Sequence, residues 1–474
     1  MNLDNFLKTD ELIKAKDQIK KIFFYRICGT GMGACACLLK EAGFDVHGAD
    51  SAFFPPMSTY LESTGIPLRK LDEMQVDDFK DYDLIVVGNS VPRMSDQARM
   101  IEELGIKFTS FPALLGAFVL KDREVIGLAG THGKTTTTFF IQQILENLGE
   151  ECGYLIGGIL NNRPPAELGK SKYFVIESDE YDSAYFQKIS KFRLYELNHM
   201  VLTSLEFDHA DIYDSVEQIE NEFSHAFKAM NGVISFDNTY PSAVKLSKEH
   251  SHLKWIPYGD QIEITKKSST QTTWTMKKDD KSYEFSSNVI GRHNILNLSG
   301  CLELLLELGF EYDKLKLAIE NLSLVKRRQE ERGVYKGSLV IDDFAHHPRA
   351  VSLTIEAIRD KYPNRKVITV FEPISATARS SIFQSEFTQA LANSDKVIMA
   401  TNPLKTTVKS SHNLDTDLIV TELKKKNIPA INSTDLQTLR KSLDEFNEEN
   451  AILLILSNRT CLGLWESDFV QALT

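Results

Sequence analysis

A lysine and a run of threonines follow a glycine-rich segment that comes directly after an apolar strand over 125–129. Backbone N–H groups in such a turn, at the start of a helix, bind phosphate oxygens. A lysine there can reach the β- and γ-phosphates of ATP, and the next hydroxyl can hold the Mg²⁺ that bridges them. The pattern therefore predicts an ATP site that contains Gly130, Thr131, His132, Gly133, Lys134, Thr135 and Thr136.

The spacing of this motif departs from the full phosphate-loop pattern G-x-x-x-x-G-K-[ST], because Leu128 stands where the first glycine would be. A bare G-K-T after a strand could also be an ordinary turn that carries a surface lysine. The flanking strand, the two glycines and the threonine run together favour the phosphate site. The motif therefore indicates a protein that binds and uses ATP.

Acidic residues follow later strands of the same stretch. The apolar run over 173–176 leads into E-S-D-E-Y-D (177–182), and a later strand leads into L-E-F-D-H (205–209). A carboxylate one strand away from a phosphate loop is the expected Mg²⁺ partner, and Glu177 is the strongest candidate because it follows its strand directly. The acidic run could instead be a solvated turn. His209 could be a hydrogen-bonded loop histidine, since Mg²⁺ prefers oxygen ligands.

A second glycine-rich segment lies near the N-terminus, between a predicted strand over 22–27 and a helix over 35–42. With a further strand over 44–48 it matches the dinucleotide-binding pattern, in which an acid about 20 residues on meets a ribose. NAD is the default ligand, but a UDP-sugar also carries a diphosphate and a ribose, and a glycine-rich turn without a ligand is the simpler alternative. The candidate residues are Gly29, Thr30, Gly31, Met32, Gly33 and Asp50, with Asn89 and Ser90 after a strand over 84–87.

Further candidates lie towards the C-terminus. G-R-H-N (291–294) opens an apolar helix over 295–308, and its histidine–asparagine pair could face a base or could cap the helix. The cluster at 326–328 is basic. Such clusters are usually solvated, but beside a polyphosphate a hinge arginine can neutralise transition-state charge. D-D-F-A-H-H-P (342–348) follows a strand over 339–341.

The composition narrows the function classes. The chain has 474 residues, of which 42% are hydrophobic and 25% charged, and its net charge of −12 argues against a nucleic-acid partner or an acidic membrane surface. Six cysteines without a C-x-x-C pair indicate neither disulfides nor zinc, and reduced thiols fit a cytoplasmic protein. The N-terminus is polar and no apolar run reaches spanning length, so we expect neither a signal peptide nor a membrane partner.

The order of predicted elements indicates an α/β protein with three domains, over 1–120, 121–327 and 328–474. Within the second, the region 233–290 looks β-rich. In the third, strands and helices alternate, which predicts a mostly parallel sheet. The expected strands of that domain are 339–341, 367–371, 396–399 and 452–456, and the expected helices are 349–360, 382–392, 416–425 and 435–446.

Together these motifs resemble those of the Mur ligases, the ATP-dependent amide-forming enzymes of bacterial cell-wall synthesis. The resemblance covers nearly the whole chain. It rests on G-T-H-G-K-T-T-T (130–137), E-x-D-E-x-D (177–182), F-D-H-A-D (207–211), G-R-H-N (291–294), R-R (327–328) and D-D-F-A-H-H-P (342–348). It implies a Rossmann-like domain that binds a UDP-sugar, a central P-loop ATPase domain and a Rossmann-like C-terminal domain.

The resemblance also implies a reaction and its residues. ATP phosphorylates the lactyl carboxylate of UDP-N-acetylmuramate, and an amine then attacks the acyl phosphate to give an amide, ADP and phosphate. Lys134 and Arg327 would carry charge in both steps. By family position, Thr135 and Glu177 hold one Mg²⁺ and His209 a second, His293 and Asn294 flank the adenine, Arg327 faces the phosphates, Asp343 meets the ATP ribose and His346 lies near the reacting groups.

Two branches of the family act on UDP-N-acetylmuramate. One adds L-alanine in de novo synthesis, and the other attaches the recycled tripeptide L-Ala-γ-D-Glu-meso-diaminopimelate. The recycling branch is favoured by I-C-G-T-G-M-G (27–33), P-P-M-S-T (55–59), E-Y-D (180–182), S-K-F (190–192) and F-E-P-x-S (371–375). Ile374 stands where that branch has an arginine, and 459–461 replaces a glycine-rich segment. We therefore expect Arg379 and Arg459 to bind the peptide carboxylates.

Functions of two other classes stay open. The loop at 29–34 could belong to an NAD-dependent oxidoreductase, but that reading leaves the motifs at 177–182, 207–211 and 342–348 unexplained. A non-catalytic regulator that binds ATP and a UDP-sugar would follow if the peptide site had decayed at Ile374. Nicotinamide binding would indicate the first alternative, and ATP binding without amide formation the second.

Overall fold

The computed structural model describes residues 1–160, 163–208, 212–278, 281–375, 377–402 and 413–474. The chain forms two compact units. The first comprises Met1–Phe207, Ser215–Asp260 and Leu298–Ala318, and the second comprises Asp208–Asp214, Gln261–Asn297 and Ile319–Thr474. Each unit is described by itself.

The first unit begins with a parallel sheet between helices. Its elements are α1 (Thr9–Ala15), β1 (Lys21–Tyr25), α2 (Thr30–Glu41), β2 (Asp45–Asp50), α3 (Met57–Ser63), β3 (Leu68–Lys70), β4 (Leu84–Val87), α4 (Asp96–Glu103), β5 (Phe108–Ser110) and α5 (Phe111–Leu115). The five strands lie in the order β3-β2-β1-β4-β5. In this order the winding reverses between β1 and β4, which opens a crevice at their carboxyl ends, the usual ligand site of such sheets.

A second sheet completes this unit. Its elements are β6 (Glu124–Ala129), α6 (Lys134–Asn147), β7 (Gly153–Leu155), β8 (Ala166–Glu167), β9 (Tyr173–Ser178), β10 (Asp182–Ala184), β11 (Gln187–Ser190), β12 (His199–Leu202), α7 (Val216–Phe227), β13 (Val233–Asp237), α8 (Pro241–Glu249) and β14 (Lys254–Tyr258). The order is β14-β13-β12-β6-β9-β7-β8, with β10 and β11 as a separate hairpin. The prediction that 233–290 is β-rich is confirmed. One helix, α8, lies among these strands and begins at Pro241, whose fixed φ and missing N–H are harmless at a helix start.

The remaining elements follow in chain order. They are β15 (Ile262–Lys267), β16 (Thr272–Lys278), β17 (Lys281–Ser287), α9 (Arg292–Glu307), α10 (Tyr312–Ala318), β18 (Glu330–Tyr335), β19 (Ser338–Asp343), α11 (Pro348–Lys361), β20 (Val367–Glu372), α12 (Gln384–Leu391), β21 (Lys396–Ala400), α13 (Thr416–Lys425), β22 (Ala430–Ser433), α14 (Leu436–Phe446) and β23 (Ile452–Ser457). Helix α10 and the end of α9 belong to the first unit. The second unit holds an antiparallel sheet, β15-β16-β17, and a six-stranded sheet, β18-β19-β23-β20-β21-β22, in which β18 alone pairs antiparallel among the described strands.

The six-stranded sheet is buried on both faces, because successive side chains of a strand point to opposite sides. Ile341 and Phe371 pack with helices α11, α12 and α13, whereas the adjacent residues Val340 and Val370 pack with α14. Strands buried on both faces read as continuous apolar runs, as β23 does. The structure thus confirms an α/β fold with a mostly parallel C-terminal sheet.

All six cysteines lie in described residues and are free thiols. Cys28 is partly exposed and the other five are buried. Burial raises the pKa of the Cys28 thiol, against a hydrogen bond to the carbonyl of Phe54. In the part of the chain that the structure describes, no helix is both long enough and apolar enough to cross a membrane.

Candidate active site

Two glycines shape the phosphate loop between β6 and α6. Gly130 has a φ of 128° and Gly133 a φ of 81°, values that residues with a side chain rarely adopt. A Cβ on Gly130 would also lie 2.5 Å from the hydroxyl oxygen of Thr203 and 2.6 Å from the carbonyl oxygen of Ser204. Glycine at 130 therefore lets the loop lie directly against the segment that follows β12.

Hydrogen bonds join the phosphate loop to that segment. The N–H of Thr131 donates to the carbonyl of Ser204 at 3.2 Å, and its hydroxyl accepts from the N–H of Glu206 at 2.9 Å. The N–H of His132 donates to the hydroxyl of Ser204 at 2.8 Å. Thr136 is buried in α6. Contacts within the protein thus set the conformation of this loop.

The ammonium of Lys134 is held by the acidic run after β9. It donates to the carbonyl of Gly130 at 2.7 Å and to Glu180 at 3.0 Å, and it lies 3.9 Å from Asp179. Burial alone would lower the pKa of Lys134, but Glu180, Asp179 and Glu177 outweigh it and raise that pKa, so the lysine is charged. Glu180 is 2% exposed, so this stretch is not a solvated turn.

Glu177 lies beside the first threonine of α6. Its carboxylate accepts from the hydroxyl of Thr135 at 2.9 Å and from the N–H of Gly157 at 2.9 Å. Burial raises the pKa of Glu177, a shift that the charge of Lys134 opposes. A hydroxyl and a carboxylate this close offer the all-oxygen ligands that Mg²⁺ prefers, so these two residues fit a magnesium ion. His209, the other predicted metal ligand, lies outside the described residues.

Lys191 was not predicted as a site residue, although S-K-F at 190–192 had been noted as a branch marker. Its ammonium lies 3.1 Å from a carboxylate oxygen of Asp179 and 5.6 Å from the centre of the Tyr181 ring. Its backbone N–H donates to the carbonyl of Tyr181 at 3.1 Å. Two separate branch markers, E-Y-D and S-K-F, therefore meet beside the lysine of the phosphate loop.

The N-terminal glycine loop leads from β1 into α2, which begins at Thr30. A Cβ on Gly29 would have no atom within 4 Å, so the space above this residue is open. A Cβ on Gly31 would lie 2.9 Å from the Phe111 ring, and one on Gly33 would lie 2.3 Å from the sulfur of Met57. Met32 is buried in α2. Only the first glycine thus borders open space.

Asp50 holds this loop in shape. Its carboxylate accepts from the N–H of Cys28 at 2.8 Å and from the N–H of Ser51 at 2.7 Å. Asn89 and Ser90 are exposed in the loop after β4, at the same edge of the sheet. The predicted UDP-sugar residues therefore gather around the carboxyl ends of β1, β2 and β4.

In the second unit, Arg327 forms hydrogen bonds to residues of the six-stranded sheet and of the loop after β23. Its guanidinium donates to Asp342 at 3.1 Å and to the backbone carbonyls of Ser457 and Arg459 at 2.6 and 2.7 Å. Burial raises the pKa of Asp342 to about 6 even though Arg327 opposes the shift. Arg327 itself has a φ of 59°. It thus joins the strained turn before β18 to the loop after β23.

The other nucleotide candidates of this unit also have local partners. Asp343 accepts from the N–H groups of Gln329 and Ala345, both at 2.8 Å. His346 hydrogen-bonds the carbonyl of Phe344 through Nδ1 at 3.0 Å. Asn294 donates its side-chain amide to the carbonyl of Ile290 at 3.0 Å, as a residue that fixes the start of a helix would. His293 precedes it in the first turn of α9. These contacts order the loops. The roles of these residues in nucleotide binding stay predictions.

The loop after β23 is organised by Glu372, which sequence reasoning missed. This carboxylate is 3% exposed and accepts from the hydroxyl of Ser457 at 2.5 Å and from the N–H groups of Cys461 and Leu462 at 3.0 and 2.8 Å. Cys461 and Leu462 have φ values of 53° and 52°, which disfavour non-glycine residues. Arg459 is exposed in this loop, and Ile374 and Arg379 lie in the loop after β20, the adjacent strand.

Three family descriptions match consecutive parts of the chain. "Mur ligase family, catalytic domain" matches residues 21–123, "Mur ligase middle domain" matches 128–305, and "Mur ligase, glutamate ligase domain" matches 327–459. The chain belongs to the Mur ligase family. Mur ligases are ATP-dependent enzymes that form amide bonds, so the predicted family, architecture and enzyme class are confirmed.

Two curated Mur ligases illustrate the similarity. The UDP-N-acetylmuramate–L-alanyl-γ-D-glutamyl-meso-2,6-diaminoheptandioate ligase of Escherichia coli is 35% identical over 391 residues, which cover 80% of this chain and 84% of that protein. A UDP-N-acetylmuramate–L-alanine ligase of Streptococcus pneumoniae is 30% identical over 391 residues, 80% of this chain and 83% of that protein. Among solved structures, a murein peptide ligase from Psychrobacter arcticus has a TM-score of 0.69 at 27% identity and covers 96% of this chain and 98% of that one.

Proposed function

We propose that this Mur ligase joins the tripeptide L-Ala-γ-D-Glu-meso-diaminopimelate to UDP-N-acetylmuramate, with ATP as the energy source, in peptidoglycan recycling. The observation that carries the proposal is the pairing of Lys134 with Glu180 and of Thr135 with Glu177 at one phosphate loop. The higher identity to the tripeptide ligase, 35% against 30% for the alanine ligase, supports the choice of amine substrate.

The reaction needs activation because a carboxylate is a poor acylating agent. ATP would transfer its γ-phosphoryl group to the lactyl carboxylate, and the peptide amine would displace phosphate from the acyl phosphate. In the first step Lys134 leaves Glu180 and binds the transferring phosphoryl group, because its ammonium already lies at the phosphate loop. Hydrogen bonds to Ser204 and Glu206 fix the conformation of the phosphate loop, which would orient the remaining phosphates at the start of α6.

Magnesium is the proposed cofactor, and Thr135 and Glu177 are the residues that would hold it. When bound, it would neutralise charge between the two anions that have to approach each other. We keep Arg327, His293, Asn294 and Asp343 as proposed ATP residues, His346 as a proposed catalytic residue, and Arg379 and Arg459 as proposed peptide-binding residues. Apart from Arg327, these residues lie on loops at carboxyl strand ends or at a helix start, and Arg327, before β18, is hydrogen-bonded to the loop after β23, which supports these roles.

Two further proposals concern organisation. A division into domains over 1–120, 121–327 and 328–474 is supported by the three matched ranges. A cytoplasmic location is supported by six free cysteines, because disulfides form in oxidising compartments.

Parallel reactions with each amine test the proposed function. The full chain is supplied with UDP-N-acetylmuramate, ATP and Mg²⁺, together with either the tripeptide or L-alanine, and products are identified by mass spectrometry. We expect the tripeptide product to form with a far higher kcat/KM. Faster use of L-alanine would instead assign the chain to the alanine-adding branch, which similarity to the Streptococcus pneumoniae ligase keeps as the second candidate.

A further inference from the structure

Arg26 occupies an unusual backbone position at the end of β1. Sequence reasoning extended the first strand to residue 27, but β1 ends at Tyr25 and Arg26 has a φ of 62°. A side chain in this left-handed region costs about 1 kcal/mol or more compared with glycine. Such strain tends to persist where the residue has a function.

The side chain of Arg26 spans the crevice between β1 and β4. Its guanidinium donates to the carbonyl of Ser90, in the loop after β4, at 3.1 Å and to the side chain of Gln97, in the first turn of α4, at 2.9 Å. This crevice is the topological switch point of the sheet, where ligands of such folds bind. Arg26 therefore lies at the edge where the glycine loop and Ser90 were predicted to hold a nucleotide.

No acid that the structure describes forms an ion pair with Arg26. Among the described residues the guanidinium forms no ion pair, and its Nε–H is buried without a hydrogen-bond partner. Asp50, an acid at the same sheet edge, directs its oxygens to the backbone N–H groups of Cys28 and Ser51. The start of α4, beside the guanidinium, presents the positive end of the helix dipole, and the acid of its first turn, Asp96, is paired with Arg99. An anion in this crevice would neutralise both the guanidinium and the dipole end.

We propose that Arg26 is a ligand-binding residue that contacts the diphosphate of the nucleotide sugar. The inference rests on the proposed function, because it takes its ligand from there. A guanidinium fits this role better than an ammonium, since its planar fork matches two phosphate oxygens at once. A Cβ on Gly29 would have no atom within 4 Å, so a diphosphate could approach the glycine loop at this residue.

Glycine at position 26 separates a binding role from a structural one. Arg26→Gly removes the charge and also relieves the left-handed strain, so thermal stability should equal or exceed that of the wild type. If Arg26 served only as a brace between β1 and α4, the same change would lower the melting temperature. Arg26→Asn is the second variant, because asparagine tolerates this backbone region and carries no charge.

Binding is measured by calorimetry on the full chain without ATP, with UDP, UDP-N-acetylmuramate and uridine as separate probes. Loss of a charge-assisted contact should lower the affinity for UDP and for UDP-N-acetylmuramate about 10- to 100-fold in both variants. The affinity for uridine should stay within twofold of the wild-type value. The salt dependence of UDP binding should also become shallower. Arg99→Gln is the matched control, because Arg99 is an exposed arginine of α4 whose removal changes the net charge equally.

Each outcome bears on a separate conclusion. If the wild type binds both UDP compounds and Arg26→Gly and Arg26→Asn bind them with the same affinity, the role of Arg26 is overturned. The proposed function would not be affected by that result. An equal loss for uridine would also overturn the role of Arg26, because the contact would then not involve phosphate. Failure of the wild type to bind UDP-N-acetylmuramate would contradict the proposed function, and the role of Arg26 would fall with it.

Discussion

Two side chains at the phosphate loop contact acids of the protein and not the groups that we propose they bind during the reaction. Lys134 donates to Glu180, and the Thr135 hydroxyl donates to Glu177. ATP and a metal ion have to replace these contacts, so substrate binding involves an exchange of partners. The acidic run thereby keeps the buried lysine charged.

The proposed magnesium site predicts that two variants need more Mg²⁺ for activity than the wild type. Glu177→Gln and Thr135→Val should each raise the Mg²⁺ concentration for half-maximal activity at least about 10-fold, because a hard cation loses a charged or hydroxyl oxygen. Thr138→Val is the control, since this buried hydroxyl of α6 donates only to the carbonyl of Lys134. Unchanged Mg²⁺ titrations in both site variants would place the metal elsewhere.

The glycine loop allows a substitution that affects ligand binding more than folding. Gly29 has a φ of −68° and open space at its Cβ, so Gly29→Val should cost no more than about 1 kcal/mol of stability. UDP-N-acetylmuramate binding should fall strongly while ATP binding stays intact, which calorimetry can measure. Gly31→Val is a poor test, because its side chain would strike the Phe111 ring even without a ligand. Full UDP-sugar affinity in Gly29→Val would refute the loop assignment.

Asp342 predicts a pH-dependent stability. Its folded pKa of about 6 exceeds the ordinary value of 3.8, so between these values the folded state binds more protons and becomes less stable as pH rises. The loss amounts to ~3 kcal/mol and is complete above the folded pKa. Unfolding of wild type and Asp342→Asn, compared from pH 4 to 7.5, should therefore show the wild type losing stability relative to the variant. Parallel curves would contradict this pKa.

Among the elements, the loop after β23 depends on one acid of the neighbouring strand. Glu372→Gln should destabilise the protein by ~1–3 kcal/mol, because two backbone N–H groups then face an amide that can satisfy fewer of them. If Arg459 binds the peptide, the KM for tripeptide should rise about 10-fold with a smaller change in the KM for ATP. Glu386→Gln, at an exposed acid of α12, is the control. An equal rise in both KM values would indicate a general structural role.

The sequence predicted most strands and helices well, because their apolar runs and periodicities are local signals. Helix α13 was predicted over its observed residues, and β19, β20, β21 and β23 each lie within a residue or two of the predicted strands. Strand β3, with three residues, and α8 carry weak signals and were missed. The roles of Glu372 and Lys191 could not be predicted, because their partners lie in other loops that only the fold brings near. Arg26 was misassigned because nothing in a strand-like run reveals a positive φ.

The whole molecule is acidic, with a net charge of −12, yet its proposed substrates are anions. Binding of these anions therefore has to rely on local groups. These are the N–H groups at helix starts and a few cations such as Lys134 and Lys191, which lie close to acids. This arrangement favours charged ligands only where the geometry fits them, and it does not attract polyanions in general.

Ligand-dependent stability tests this selectivity on the intact chain. UDP-N-acetylmuramate at about 100 times its Kd, without ATP, should stabilise the unit that binds it by ~2.7 kcal/mol and raise its melting temperature. NADH at the same concentration is the control and should have no effect, since NAD was the other ligand that the glycine loop suggested. A shift with NADH and none with the UDP-sugar would overturn the assignment of the first domain.

The free thiols give this protein a built-in reporter. Five of the six cysteines are buried, while Cys28 is partly exposed at the glycine loop, where its N–H is bound to Asp50. Its raised pKa keeps it mostly protonated, so alkylation should be slow at neutral pH and faster at alkaline pH. A small fluorescent maleimide should therefore label the native chain mainly at one position. A nucleotide sugar seated on the loop should protect that thiol, so the labelling rate alone would follow occupancy of the site without any engineered residue.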